Sequence, residues 1–216
     1  MSLKLHLGCG EVYLKGYVNI DYPPDQHTVM KTVADKIADI QTLRYKGESV
    51  DEVRLHHVFE HFPRAQAAAL LASWHSWLKP GGIVHIEVPD FEATAKKALS
   101  PFTNERDRKV AMRHVFGSNE AAWAVHYDAW TKKRLEELLE TFGFKVEEVS
   151  KTSYLATRNI AIIGSKASAT PTREQLLKVA HKYLAGFLVD HGESEGRLLE
   201  VWIRDFEKQL NKSFSQ

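Results

Sequence analysis

Residues 3–10, Leu-Lys-Leu-His-Leu-Gly-Cys-Gly, constrain the fold more than any other stretch of the chain. Leu3, Leu5 and Leu7 alternate with polar residues, which is the two-residue period of a strand. The strand runs directly into two glycines separated by one residue. Glycine adopts φ > 0 without penalty and carries no Cβ, so such a turn lets backbone come close to a bound group. A second apolar stretch, residues 17–20, then ends in Asp21. This order predicts an α/β protein whose ligand lies at the carboxyl ends of its strands.

The remaining pattern agrees with that class. Pro23-Pro24 breaks the chain after the second strand. Residues 29–38 are ambiguous, part of them fitting a short third strand ending near Asp39, and residues 49–56 read as a fourth. Residues 63–78, rich in Ala and Leu, predict a helix stopped by Pro80-Gly81-Gly82, with a fifth strand over residues 83–88. Residues 91–99 and 104–116 read as helices. Thr131 is the expected N-cap and Gly143 the expected C-cap of a helix over residues 132–142. Strands over residues 144–149 and 159–164 complete the pattern. A small-residue linker then leads to two amphipathic segments, residues 173–189 and 195–210. The expected division is a domain over residues 1–166 and a linker with a helical hairpin over residues 167–216. The apolar stripes of that hairpin must be buried, either on the chain's own domain or in a homodimer across a two-fold axis.

Lys and Arg total 29 against 28 Asp and Glu, a net charge of +1, which gives no nucleic-acid signal and no reason to expect an anionic membrane partner. One cysteine, Cys9, excludes a disulfide framework and a cysteine-cluster metal site. No signal segment or run of about 20 apolar residues is present, so the expectation is a cytoplasmic protein.

Three readings compete for the glycine turn. One is a plain tight turn. Another is a dinucleotide site, which would need a third glycine where Tyr13 stands. The third is a nucleoside site in which the acid ending strand two accepts hydrogen bonds from two ribose hydroxyls.

The full set of motifs resembles the class I S-adenosylmethionine-dependent methyltransferases. Leu5-His-Leu-Gly-Cys-Gly10 is similar to the family's first motif, Val18-Asn-Ile-Asp21 to its ribose-acid strand, and Ala38-Asp39-Ile40 to the acid-apolar pair that meets adenine. Val50-Asp-Glu-Val-Arg-Leu-His-His-Val-Phe-Glu-His61 resembles its fourth strand and turn, and Leu78-Lys-Pro-Gly-Gly82 its helix end. Residues 130–144 resemble its late helix with a Gly-Phe exit. Only ten residues separate Gly10 from Asp21, which resembles a compact subgroup linked to modification of sugars or surface polysaccharides.

The resemblance implies a Rossmann-like fold: a mostly parallel seven-stranded sheet with helices on both faces, plus the C-terminal helices. It implies S-adenosyl-L-methionine as cofactor, bordered by Gly8, Cys9, Gly10, Asp21, Asp39, Ile40 and His57. The implied activity is methyl transfer to an oxygen or nitrogen of a small-molecule or glycan acceptor, with no metal. His126 and Tyr127, ahead of the late helix, are the candidates for catalysis, since a histidine titrates near neutral pH. A cofactor-binding protein without transferase activity, and a nicotinamide oxidoreductase, stand as alternatives.

Overall fold

The computed structural model describes residues 2–23, 25, 29 and 31–214. Pro24 of the expected Pro23-Pro24 break lies outside the described residues. Seven strands form one sheet: β1 (Lys4–Leu7), β2 (Val18–Asp21), β3 (Lys36–Ile37), β4 (Val50–His56), β5 (Leu78–Pro89), β6 (Phe144–Tyr154) and β7 (Thr157–Lys166). Their order is β3-β2-β1-β4-β5-β7-β6. β1 to β5 run parallel, while β7 pairs antiparallel with both β5 and β6, so the sheet is mixed. The order reverses at β1, which places a topological switch point beside the glycine turn.

The helices are α1 (Arg64–Trp77), α2 (Phe91–Leu99), α3 (Glu105–Phe116), α4 (Lys132–Thr141), α5 (Arg173–Ala185) and α6 (Glu193–Ser213). Short 3-10 turns span Ile40–Thr42 and Phe59–His61. Among the described residues no helix joins β1 to β2, as the ten-residue spacing requires. Thr131 caps α4 by accepting from the Arg134 backbone N–H, and Gly143 follows that helix with φ 88°.

Pro80-Gly81-Gly82 does not stop α1. The helix ends at Trp77, and Leu78 is already extended and paired with Val50. Pairing resumes at Glu52 and Ile83, so residues 79–82 bulge out of β5 instead of capping a helix.

Twelve of the fourteen α1 residues are buried, so the helix is covered on both sides. The sheet covers one side through Leu5, Leu55, Val84 and Ile86. The C-terminal helices cover the other. Ser213 accepts from the Trp77 indole N–H at 2.9 Å and shares a hydroxyl bond with Ser73 at 2.8 Å. Gln209 donates to the Gln41 carbonyl at 2.8 Å. Phe206, Leu210 and Leu199 are buried in the same core as α1, and Arg64 stacks between Phe187 and Trp202.

The opposite face of the sheet is polar. Lys4 pairs with Glu52, Arg54 donates to His56, and the rings of His6, His56 and His85 follow one another at 6.2 and 5.5 Å. α3 meets the sheet at β7, where its His114 bonds to Asn159.

Candidate functional site

At the end of β1, Gly8 and Gly10 adopt left-handed backbone, with φ 69° and 53°. A Cβ on Gly8 would collide with the Val58 side chain, so the turn after β4 demands a glycine there, independently of any ligand. The Gly8 and Cys9 N–H groups both bond to the Ile20 carbonyl. Asp21 is 6% exposed and closes the turn: Oδ2 accepts from the Gly10 N–H at 2.5 Å and Oδ1 from the Tyr22 N–H at 2.7 Å. These bonds take two of the roughly four acceptor positions of a carboxylate. Cys9 is buried, and burial pushes its thiol pKa up, as befits a packing residue. Asp39 caps the Ile40–Thr42 turn through Gln41 N–H at 2.8 Å and also receives the Tyr22 hydroxyl at 3.3 Å. Ile40 is buried beside it.

One strand over, His57 has φ 53°, an uncommon backbone for a side-chain-bearing residue. Its Nδ1 lies 3.3 Å from Glu60 Oε1 and its Nε2 3.7 Å from Glu87. Glu60 is 1% exposed, and His126 Nε2 reaches to 3.9 Å of the same oxygen. The His61 ring packs edge-on against His126 at 4.8 Å, and His114 lies 5.9 Å from His57. Burial alone would lower the His57 pKa, but its bond to Glu60 and the charges of Glu60 and Glu87 reverse this and raise it. Burial likewise opposes the Glu60 charge, yet His57, His61 and His126 hold that carboxyl below its ordinary value. Burial keeps His126 below its ordinary value, so it is neutral near pH 7. A neutral imidazole beside a buried carboxylate can accept a proton and be stabilised once charged.

The chain brings His126 there from a distance of 66 residues by a local device. Gly117 ends α3 with φ 89°, and a Cβ on it would run into the Ala124 carbonyl. The absence of that Cβ lets residue 125 form a bridge back to Gly117, and the His126 N–H then bonds to Phe116. Tyr127 N–H reaches the Glu60 carbonyl at 2.9 Å. Beyond it, Asp128 is clamped by Arg134, and Trp130 stacks on Phe59 at 5.0 Å.

A family profile described as a methyltransferase domain matches residues 6–149, two thirds of the chain. The chain belongs to this methyltransferase family. Solved structures agree on the fold. A SAM-dependent methyltransferase from Methanosarcina mazei shares 15% identity at TM-score 0.53, over 77% of this chain and 93% of that one. A Haloferax volcanii methyltransferase in complex with the Trm112 activator shares 15% at TM-score 0.55, over 79% and 84%. The Burkholderia thailandensis 1,6-didemethyltoxoflavin-N1-methyltransferase, bound to its substrate and S-adenosylhomocysteine, shares 14% at TM-score 0.50, over 77% and 72%. No curated protein matches the chain.

Solved structures named as SAM-dependent methyltransferases, one of them holding S-adenosylhomocysteine, share this chain's fold. The turn of this chain fits such a cofactor: glycines at positive φ, a buried acid at the end of β2 and a second acid two residues past β3 surround the switch point. The structure gathers the residues expected from the sequence into two neighbouring groups. Gly8, Cys9, Gly10, Asp21, Asp39 and Ile40 line the first three strand ends; His57 and His126 meet at Glu60 in the fourth. Tyr127 stands at the rim, 53% exposed. The role of Glu60 was not anticipated. The only local signal was Glu60-His61 following a strand end.

Proposed function

We propose that this methyltransferase moves the methyl group of S-adenosylmethionine to an oxygen or nitrogen of a small-molecule or glycan acceptor, with His126 as proton acceptor. The observation that carries the reading is His126 Nε2 held against buried Glu60, one strand from the glycine turn. Gly8, Cys9 and Gly10 border the methionine part, Asp21 takes the ribose hydroxyls, and Asp39 with Ile40 flanks the adenine. His57 stands where cofactor and acceptor meet. The sulfonium supplies an electrophilic methyl. The acceptor's lone pair attacks that carbon, the carbon–sulfur bond breaks, and S-adenosylhomocysteine leaves. The acceptor's proton passes to His126 Nε2, and Glu60 stabilises the resulting imidazolium. Alignment contributes about 7–11 kcal/mol to such a step, and a positioned base roughly 10²–10⁴-fold. Tyr127, exposed beside His126, is placed to contact the acceptor.

The toxoflavin enzyme, similar in fold alone, is named for methylating a nitrogen of a small molecule, which supports this acceptor class without fixing the acceptor. None of the described helices is long and apolar enough to cross a membrane, and a cytoplasmic location goes with the reading. A homodimer through α5 and α6 has less support, because many of their apolar residues are buried in the chain's own core. The test is calorimetric titration with S-adenosylhomocysteine, followed by an acceptor screen with methyl-labelled cofactor. His126→Ala is expected to keep the affinity and lose at least a hundredfold in kcat. Full kcat in that variant removes His126 from the step. Tight cofactor binding without transfer to any acceptor class favours a binding protein.

A further inference from the structure

Glu60, His61 and His126 each offer one ligand atom, and the three atoms lie within 4.8 Å of one another. We propose that they form a site for one divalent transition-metal ion of the Zn²⁺ type, and that the ion acts as a reversible block on methyl transfer. The sequence reading expected no metal, because the three residues meet only in the fold. The blocking role rests on the reading of His126 as proton acceptor; the binding site does not.

Two imidazoles and one carboxylate form a donor set suited to such ions, with bonds near 2.0–2.2 Å and ligand atoms about 3.4 Å apart. Closing from 4.8 Å takes a side-chain movement of roughly 1 Å. His61 is already oriented. Its Nδ1 lies 3.1 Å from the Val125 carbonyl, and a carbonyl only accepts, so Nδ1 carries the hydrogen and Nε2 keeps the lone pair. A ligating histidine characteristically donates its other ring N–H in this way. Glu60 supplies a second, independent observation. Its Oε1 serves His57 and His126, while Oε2 is buried with no hydrogen-bond partner. A buried carboxylate oxygen without a partner is costly, and a cation supplies the missing interaction. A cavity of about 10 Å³, lined by Glu60 and His126 together with Thr94 and His114, adjoins the triad. It has room for about one water, which a three-ligand ion takes as its fourth ligand.

The lone pair of His126 Nε2 cannot hold an ion and accept a proton at once. Loading the site therefore removes the base, and a chelator restores it. Binding needs neutral imidazoles and an ionised carboxylate, so affinity rises with pH.

The test uses the full chain stripped with a chelator, then titrated with Zn²⁺ by calorimetry and with Co²⁺ by visible absorption. The expected result is one ion per chain and a Co²⁺ spectrum typical of four-coordination. His61→Ala is expected to weaken Zn²⁺ binding at least tenfold while S-adenosylhomocysteine affinity persists. Glu60→Gln is expected to do the same to Zn²⁺, with circular dichroism confirming the fold. His181→Ala, at an exposed position on α5, serves as the control and should bind normally. Absence of Zn²⁺ and Co²⁺ binding, or equal binding by His61→Ala, overturns the site while leaving the methyltransferase reading intact. One-to-one binding with undiminished turnover overturns the blocking role alone.

Discussion

Phe206→Ala probes the contact between the C-terminal helices and the sheet domain. Phe206 is fully buried, sits 6.2 Å from the Phe142 ring at the end of α4, and belongs to the same core as Trp74 and Trp77. Removing such a ring costs about 3–5 kcal/mol, the lost transfer energy together with the cavity left behind. Domains of this kind are stable by only about 5–15 kcal/mol, so the loss is a large fraction of the whole. With a urea slope of about 2–3 kcal/mol per molar, the midpoint should fall by roughly 1.5 M. Urea titration followed by both tryptophan fluorescence and far-UV circular dichroism measures it. Coincident curves shifted together are expected, because α6 is hydrogen-bonded to both Trp77 and Gln41. A separate early transition for the helices, or a midpoint moved by less than 0.3 M (about 0.7 kcal/mol on that slope), would refute the shared core.

Asp21→Ala should weaken S-adenosylhomocysteine binding at least tenfold by calorimetry, since hydrogen bonds to a charged group are worth about 1.5–3 kcal/mol. Gly117→Ala should lower kcat more than cofactor affinity, because the displaced Ala124 carbonyl moves His126; unchanged kcat counts against that positioning. Buried His75 has its pKa lowered to about 4 by burial and by the Lys166 charge, whereas the unfolded residue titrates near 6.5. The unfolded chain thus takes up the proton first, so stability is full above pH 6.5 and falls toward pH 4 by about 3 kcal/mol. Urea midpoints at pH 7.5 and 4.5 measure this, and His75→Gln should flatten the difference.

Much of the sheet was legible in the sequence because strand alternation, the glycine turn and the caps at Thr131 and Gly143 are local signals. Asp21 was legible for the same reason, as an acid ending a strand. The end of α1 was misread because Pro-Gly-Gly suits a bulge as well as a helix stop, and only the pairing of Leu78 with Val50 decides between them. Glu60 was missed because His126 returns to it across 66 residues, a meeting set by the Gly117 fold-back and invisible to periodicity. The resting place of α6 was likewise undetermined: an apolar stripe says that it must be covered, not by what.

The burial of α1 under α6 also has a consequence for biosynthesis. The Ala-rich helix and its two tryptophans emerge long before residues 199–213, which complete their cover. At about 5–20 residues per second, the ribosome needs on the order of ten seconds to travel from Trp77 to Ser213. Throughout that interval one side of α1 has no partner of its own chain. Slow translation late in the message would lengthen the exposure of that apolar side to aggregation.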